Sequence, residues 1–358
     1  MDPAALRAEF PVLEQFAYLN AGTCGPLPAA AVQAVDEVLA QAVTEGRSQA
    51  YFTASNDTRT RLRTGYAELL GGAAADVALT TCTSEGIVRV IAALDLGPGD
   101  QVLVSDEEHP GLLGPLAAAR EQRGIAVRIV PFAEIAGAVV PATKLVATSH
   151  VSWVSGRVVP DLSDIGDVPV LLDGAQGIGA VPTDVASLGC AFYAGSGQKW
   201  LCGPVGSGML WVSPDWSDRL PATGPTYLNL AVPGDGLDAV PRSDAARHDA
   251  SALSPETIAA ATAALAVLGA VGWDAVQERA ATLAAQLADA LAERGREVAP
   301  RDRTTLVSWK DPDPAATKTR LAEHGVTIRD LPGTGLLRAS VGAWNDESDL
   351  ERLLSALR

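Results

Sequence analysis

The strongest chemical signal is a lysine set among Gly, Trp and Leu, in Ala194-Gly195-Ser196-Gly197-Gln198-Lys199-Trp200-Leu201-Cys202-Gly203-Pro204. Such surroundings strip water from the amine, lower its pKa and make it a usable nucleophile toward an aldehyde. The glycines suit a tight turn that other backbone approaches closely. Upstream, Val170-Leu171-Leu172-Asp173-Gly174-Ala175-Gln176 ends an apolar run on an acid. A carboxylate there is unfavourable unless a cation meets it, and a protonated pyridine nitrogen is one such cation. A helix N-cap or a salt bridge accounts for this segment equally well.

Three further segments carry polar groups at the ends of apolar runs. Thr81-Cys82-Thr83-Ser84-Glu85-Gly86 leads into a helix-periodic stretch (Ile87, Val90, Ile91, Leu94), where hydroxyls and free N–H groups suit a phosphate. A plain N-cap at Thr83 or Ser84 gives the same pattern. Asp106-Glu107-Glu108-His109-Pro110 offers His109 as a ring that could stack on a planar group. Ser149-His150-Val151-Ser152-Trp153 is weaker, since Trp153 fits a core and His150 can satisfy backbone. A GxxxxGK[ST] phosphate loop is absent, and Gly206-Ser207-Gly208 precedes a strand, so no dinucleotide fingerprint exists.

The elements that must hold these groups follow from the apolar pattern. Short runs at 77–80, 101–105, 127–132, 144–149, 168–172, 191–194 and 208–212 alternate with helical stretches. Unbroken apolar strands between helices predict a largely parallel sheet covered on both faces. Ligands gather at the C-terminal ends of such strands, where all five segments lie. Residues 222–243 read as a loop-rich connection. Helices are predicted at 255–268, opened by Ser254-Pro255-Glu256, and at 273–294. Strands at 304–309, 326–329 and 336–341 and helices at 315–324 and 345–357 make a smaller α+β lobe. The division is residues 16–240 for the large α/β lobe, with 1–15 and 241–358 in the small one.

A chain of 358 residues with 20% charged residues is long enough for two lobes and has ordinary globular composition. Its net charge of −16, spread along the chain, argues against nucleic acid or an anionic membrane as partner. The acidic start Met1-Asp2-Pro3 does not read as a signal peptide, and the Ala-rich run at 258–271 is too short to span a bilayer. Cys24, Cys82, Cys190 and Cys202 show no metal spacing, so no metal is expected. A cytoplasmic location is the expectation.

Taken in order, these segments resemble the class V aminotransferase family of fold-type I pyridoxal 5'-phosphate (PLP) enzymes. The resemblance runs from Asn20 to the last helix. It is most specific where Asp173-Gly174-Ala175-Gln176 is followed by Ser196-Gly197-Gln198-Lys199. It implies an α/β fold, with residues 16–240 as the PLP-binding domain. Lys199 would form the Schiff base with PLP and shuttle the proton at Cα. Asp173 would pair with the pyridine nitrogen, and Gln176 would contact the phenolic oxygen. Thr83, Ser84, Ser196 and Gln198 would cup the phosphate. His109 takes the place of the stacking ring, with Trp153 also at the cofactor. Arg338, in Leu337-Arg338-Ala339-Ser340, resembles the arginine that grips the substrate carboxylate, with Asn20 beside it. Many relatives have a Thr that reaches the partner subunit's phosphate; an ungapped match puts Ala252 there and leaves Ser251 as the substitute. A homodimer is implied.

The chain departs from the pattern of cysteine desulfurases. It has Gln198 where they usually carry His, and Trp153 where they usually carry Asn. Their persulfide cysteine belongs in a loop that is here Asp330-Leu331-Pro332-Gly333-Thr334-Gly335, without a thiol. The run from Tyr18 to Pro26 and Gln198-Lys199-Trp200 look most like the isopenicillin-N-epimerase-like branch, which also resembles C–S lyases. The reading is therefore a β-lyase on a cysteine-like substrate, with catalysis by Lys199, Asp173 and His109. Epimerisation, for which Cys24 is the available second acid, is the alternative, followed by transamination. A catalytically silent binding protein is disfavoured by the intact Lys199, Asp173 and Arg338.

Overall fold

The structure, a computed structural model, describes residues 2–357. Before the large sheet come α1 (Pro3–Ala8), β1 (Ala17–Tyr18), α2 (Ala29–Thr44) and α3 (Gln49–Leu70). The sheet region contains β2 (Val77–Thr80), α4 (Thr83–Ala93), β3 (Gln101–Ser105), α5 (Pro110–Arg123), β4 (Ala126–Val130), β5 (Thr143–Ser149), β6 (Val170–Asp173), β7 (Phe192–Ser196) and β8 (Gly208–Val212). Helices α6 (Pro255–Gly269) and α7 (Trp273–Glu293) then lead into β9 (Leu306–Lys310), α8 (Pro314–Glu323), β10 (Val326–Thr327), β11 (Arg329–Leu331), β12 (Leu336–Ser340) and α9 (Glu347–Ala356).

Among the described residues, β2 to β8 form a seven-stranded sheet in the order β2-β8-β7-β6-β5-β3-β4. Every pairing is parallel except those of β8, which runs against both β2 and β7. The unbroken apolar runs have the expected cause. Leu103, Val146, Leu172, Tyr193 and Met209 bury on one face, while Val102, Leu145, Leu171, Phe192 and Leu210 bury on the other. Successive side chains point to opposite faces, so a strand covered on both sides must be apolar throughout. The strands leave their polar groups at the C-terminal ends: Asp173 closes β6 and Ser196 closes β7.

The small lobe pairs β11-β12-β9 antiparallel and β1 with β10 in parallel. The stretch predicted as one strand at 326–329 is two short strands in different sheets. The expected lobe boundaries also shift. Ala17 and Leu19 bury in the small-lobe core with Val326 and Leu353, which draws β1 out of the large lobe. Conversely, residues 245–269 stay on the large lobe. Ala250 N–H donates to the Leu79 carbonyl (2.8 Å), and Ile258, Ala261 and Leu265 join the core around Leu62 and Tyr66. No single helix among the described residues is long and apolar enough to cross a membrane.

Candidate active site

The lysine turn is shaped by backbone closure. Gly203 N–H donates to the Gly197 carbonyl (2.9 Å), and Cys202 N–H to the Lys199 carbonyl (3.2 Å). The N-terminal segment Asn20–Gly25 lies directly against this turn, with Gly25 N–H donating to the Gln198 carbonyl (2.8 Å). A Cβ at Gly25 would stand 2.1 Å from the Lys199 carbonyl oxygen, so only glycine permits this approach. Cys24 and Gly22 are thereby held at the lysine's side of the cleft.

Burial draws the half-buried Lys199 amine down to about 8, aided by Arg338 and Arg329 and opposed by Asp173. Burial also pushes the Asp173 carboxyl up, against the pull of Lys199; its Oδ1 accepts from Ala175 N–H (2.9 Å). His109 caps α5 by accepting from Gly111 N–H (3.0 Å). Its ring meets Trp153 edge-on, with centroids 5.0 Å apart. Burial and the cations Lys199, Arg329 and Arg338 lower it to about 4, so the ring is neutral at pH 7.

At the N-terminus of α4, Thr83 Oγ1 and Ser196 Oγ stand 2.6 Å apart. Gly111 packs against the hydroxyl of the neighbouring Ser84: a Cβ there would come within 2.4 Å of Ser84 Oγ. Gln198 Oε1 is buried without a partner among the described residues. The hydroxyls and the free N–H groups at the start of α4 are of the kind that suit an anion.

Arg338 is fully buried. Its Nη1 donates to the Trp153 carbonyl (2.8 Å), while Nε and Nη2 have no partner among the described residues. Burial, and secondarily Arg329, lower its pKa to about 9. A Cβ at Gly22 would fall 2.8 Å from Arg338 Nη2, 2.7 Å from Ser340 Oγ and 3.0 Å from Gln176 Oε1. Gln176 is held by Trp200, which donates to Oε1 (3.0 Å), and by its own donation to the Gly22 carbonyl (2.8 Å).

The chain matches the class-V aminotransferase family over residues 17–353. It belongs to that family. A probable cysteine desulfurase of Pseudomonas aeruginosa is 29% identical over 99% of this chain and 97% of its own length. The isopenicillin N epimerase of Amycolatopsis lactamdurans is 27% identical over 95% of this chain and 94% of its own length. The solved protein C-DES, with glycine covalently linked to its PLP cofactor, superposes with a TM-score of 0.92 at 26% identity over 98% of both chains. A second C-DES structure is a complex of that cystine C–S lyase with its product cysteine persulfide; its TM-score is 0.89 at 26% identity, over 97% of this chain and 98% of that one. The fold is that of the fold-type I PLP enzymes, and the family is PLP-dependent.

The residues present fit that cofactor. Lys199 would supply the amine, Asp173 the acid for the ring nitrogen, neutral His109 the flat neighbour, and Thr83, Ser84, Ser196 and Gln198 the phosphate cup. Gln176 keeps one N–H free beside its two existing bonds. Asn20 Oδ1 accepts from the Thr23 hydroxyl (2.8 Å), and its backbone bridges to Ser340, so it shapes the surroundings of Arg338 through the chain. Trp153 reaches the site through its carbonyl and through His109. Ser251 is the exception: it is exposed in a turn beyond Asp249 and makes no hydrogen bond to these residues among the described contacts.

Two acids escaped the sequence reading. Glu107 binds Ser152, Ser155 and Arg157 and so fixes the loop that carries Trp153. Glu108 is buried and accepts from Ser105, Thr148 and Ser149, tying β3 to β5. Both stand next to His109 in sequence, and only the strand order reveals their partners.

Proposed function

We propose that this chain is a PLP-dependent β-lyase cleaving the Cβ–S bond of a cysteine-type amino acid. The observation that carries the reading is a Lys199 amine lowered by burial and by nearby Arg338, whose Nε and Nη2 have no partner among the described residues, beside a hairpin that bears no thiol. β11 and β12 are joined by the tight turn Pro332–Gly335, with Thr334 N–H donating to the Leu331 carbonyl (3.2 Å). A hairpin this short offers no mobile cysteine to take up sulfur.

When bound, PLP draws electrons from Cα of the attached amino acid and acidifies its Cα–H. Arg338 holds the α-carboxylate through Nε and Nη2, which orients the Cα–H toward Lys199. The lysine amine, brought near neutrality by burial, accepts that proton. Asp173 sustains a positive charge at the ring nitrogen. With loss of the Cα proton, cleavage of Cβ–S and uptake of one water, the products are a thiol, pyruvate and ammonia.

The second reading is epimerisation, supported by the likeness to an isopenicillin N epimerase. It requires an acid opposite Lys199, and Cys24 in the Asn20–Gly25 segment is the candidate. Transamination ranks third. Incubation with cysteine conjugates and other amino acids distinguishes them: pyruvate and thiol release mark the lyase, inversion at Cα the epimerase, and amino transfer to a keto acid the aminotransferase. Inversion without thiol release from any conjugate refutes the lyase.

A homodimer accompanies this reading. The 222–243 segment exposes Tyr227, Val232, Leu237 and Val240, an apolar surface of the kind that associates. Exposed Ser251 is then available to a partner's phosphate. Four free cysteines suit the cytoplasm.

A further inference from the structure

We infer that Glu107 is a positioning residue: through Ser152 and the 153–154 peptide it sets where the Arg338 guanidinium stands. The inference rests on the proposed assignment of the α-carboxylate to Arg338 and names what holds that arginine in place.

The turn at residues 151–158 lies between the two lobes. Val151 and Val158 bridge antiparallel, Ser152 N–H donates to the Arg157 carbonyl (2.8 Å), and Gly156 N–H donates to the Ser152 carbonyl (3.0 Å). The small lobe grips three of its carbonyls. Trp153 accepts from Arg338 Nη1 (2.8 Å), Val154 from Ser308 Oγ (2.6 Å) and Gly156 from Thr304 Oγ1 (2.7 Å). Ser308 and Arg338 are directly opposite partners on β9 and β12. On the large-lobe side the hold is narrower. Among the described residues, the hydrogen bonds that reach 151–157 from the rest of that lobe all end on Glu107. Its Oε2 accepts from the hydroxyls of Ser152 and Ser155, the latter at 2.5 Å, and its Oε1 from Arg157 Nη2 (2.7 Å).

The link to Arg338 is short. Ser152 Oγ, which donates to Glu107, accepts from Val154 N–H (3.1 Å). That N–H and the Trp153 carbonyl belong to one planar peptide, so fixing the first fixes the second. The carbonyl is the partner of Arg338 Nη1, while Nε and Nη2 have none among the described residues. A guanidinium with five N–H donors is thus oriented by a single backbone acceptor. Bidentate capture of a carboxylate tolerates errors of only about 0.5 Å and 10–20°. A shift of this peptide is therefore a shift of the fork.

The test is calorimetric titration of the PLP-loaded enzyme with butyrate, a non-reacting carboxylate. Glu107→Ala and Ser152→Ala should each weaken butyrate by about fivefold or more, as misplacement from a distance does. PLP affinity, read by absorbance and dialysis, should stay within about threefold of wild type. Glu107→Gln retains an acceptor oxygen for Ser152 and should recover butyrate affinity to within about threefold. In turnover of a cysteine conjugate, KM should rise in both alanine variants while kcat stays within about threefold. Where Glu107→Ala yields no soluble protein, Ser152→Ala decides. A butyrate loss below fivefold in the alanine variants overturns the inference, and so does an equal loss of PLP affinity. A glutamine variant as weak as the alanine one also overturns it, since the Arg157 ion pair would then be the operative contact. Arg338→Met separates this inference from the reading beneath it. Unchanged butyrate affinity there removes the carboxylate assignment and the inference together. A loss there beside intact affinity in both alanine variants removes the inference alone.

Discussion

Replacing Arg338 by methionine should weaken substrate binding and raise thermal stability at once. Burial draws its pKa from the ordinary 12.5 to about 9, with Arg329 pushing the same way. At about 1.4 kcal/mol per tenfold, the folded chain disfavours this charge by about 5 kcal/mol. Against that stands the Nη1 bond to the Trp153 carbonyl at 2.8 Å, worth about 2 kcal/mol for a charged donor. Methionine has similar reach and no charge, so a net stabilisation of about 1–3 kcal/mol is expected once the orphaned carbonyl is included. Spread over 358 residues at about 2.1 cal/mol/K each, that raises the thermal midpoint by about 1–4 °C. Losing one partner of a buried charge pair costs binding about 2–5 kcal/mol, or roughly thirtyfold to several thousandfold in Kd for a carboxylate substrate. Scanning fluorimetry without substrate and calorimetric titration with it give both quantities. The cation is disfavoured in the fold, so its penalty is full below pH about 9 and declines as pH rises toward 12.5. The stability gap between variant and wild type should therefore close above pH 9. A midpoint several degrees lower in Arg338→Met would refute the reasoning, because the guanidinium would then be compensated in the free protein.

Three other outcomes are expected. The rate at which cofactor-free protein captures PLP on Lys199, trapped by borohydride, should rise about tenfold per pH unit up to about 8 and then level; an inflection near 10.5 would mean that the amine is solvated. Asp173→Ala should lower kcat by two orders of magnitude or more while PLP stays bound at its phosphate, read by absorbance and dialysis, and near-normal turnover would remove its role. Gly22→Ala should raise KM for carboxylate substrates at least tenfold with a midpoint change under about 3 °C. The added methyl would press on Arg338 Nη2 and Ser340 Oγ, and an unchanged KM would place the carboxylate elsewhere.

The large sheet was legible because strands buried on both faces leave an unbroken apolar signature, and acids or hydroxyls at their ends stand out against it. Asp173 and Lys199 are the clearest cases, for neither belongs where it is without a ligand. Helices α2 and α3 were not legible, since Val32, Leu39, Val43 and Phe52 lie exposed on them and blur any apolar stripe. The reversal of β8 was also hidden: all its residues are buried, and direction is decided by hydrogen-bond pairing, which composition does not encode. Ser251 was placed at a cofactor by position in a motif, while its exposure depends on how residues 245–269 pack. Arg329 was legible as a cation and illegible as half of a pair, because its meaning lies in the register of a hairpin.

That hairpin joins the two parts of the functional argument. Four turn residues, Pro332–Gly335, bring Leu331 opposite Leu336 and Arg329 opposite Arg338. Gly333 and Gly335 take positive φ (77° and 71°), the conformation such a short connection demands. Leu331 and Leu336 pack on Trp153, the same residue whose carbonyl receives Arg338 and whose ring lies beneath Arg329. A longer, mobile loop could carry a sulfur acceptor, but it would loosen this register. The short connection gives up the acceptor and fixes two cations on one wall. The absence of a sulfur acceptor and the register that sets Arg329 opposite Arg338 then have one structural origin, the length of a single turn.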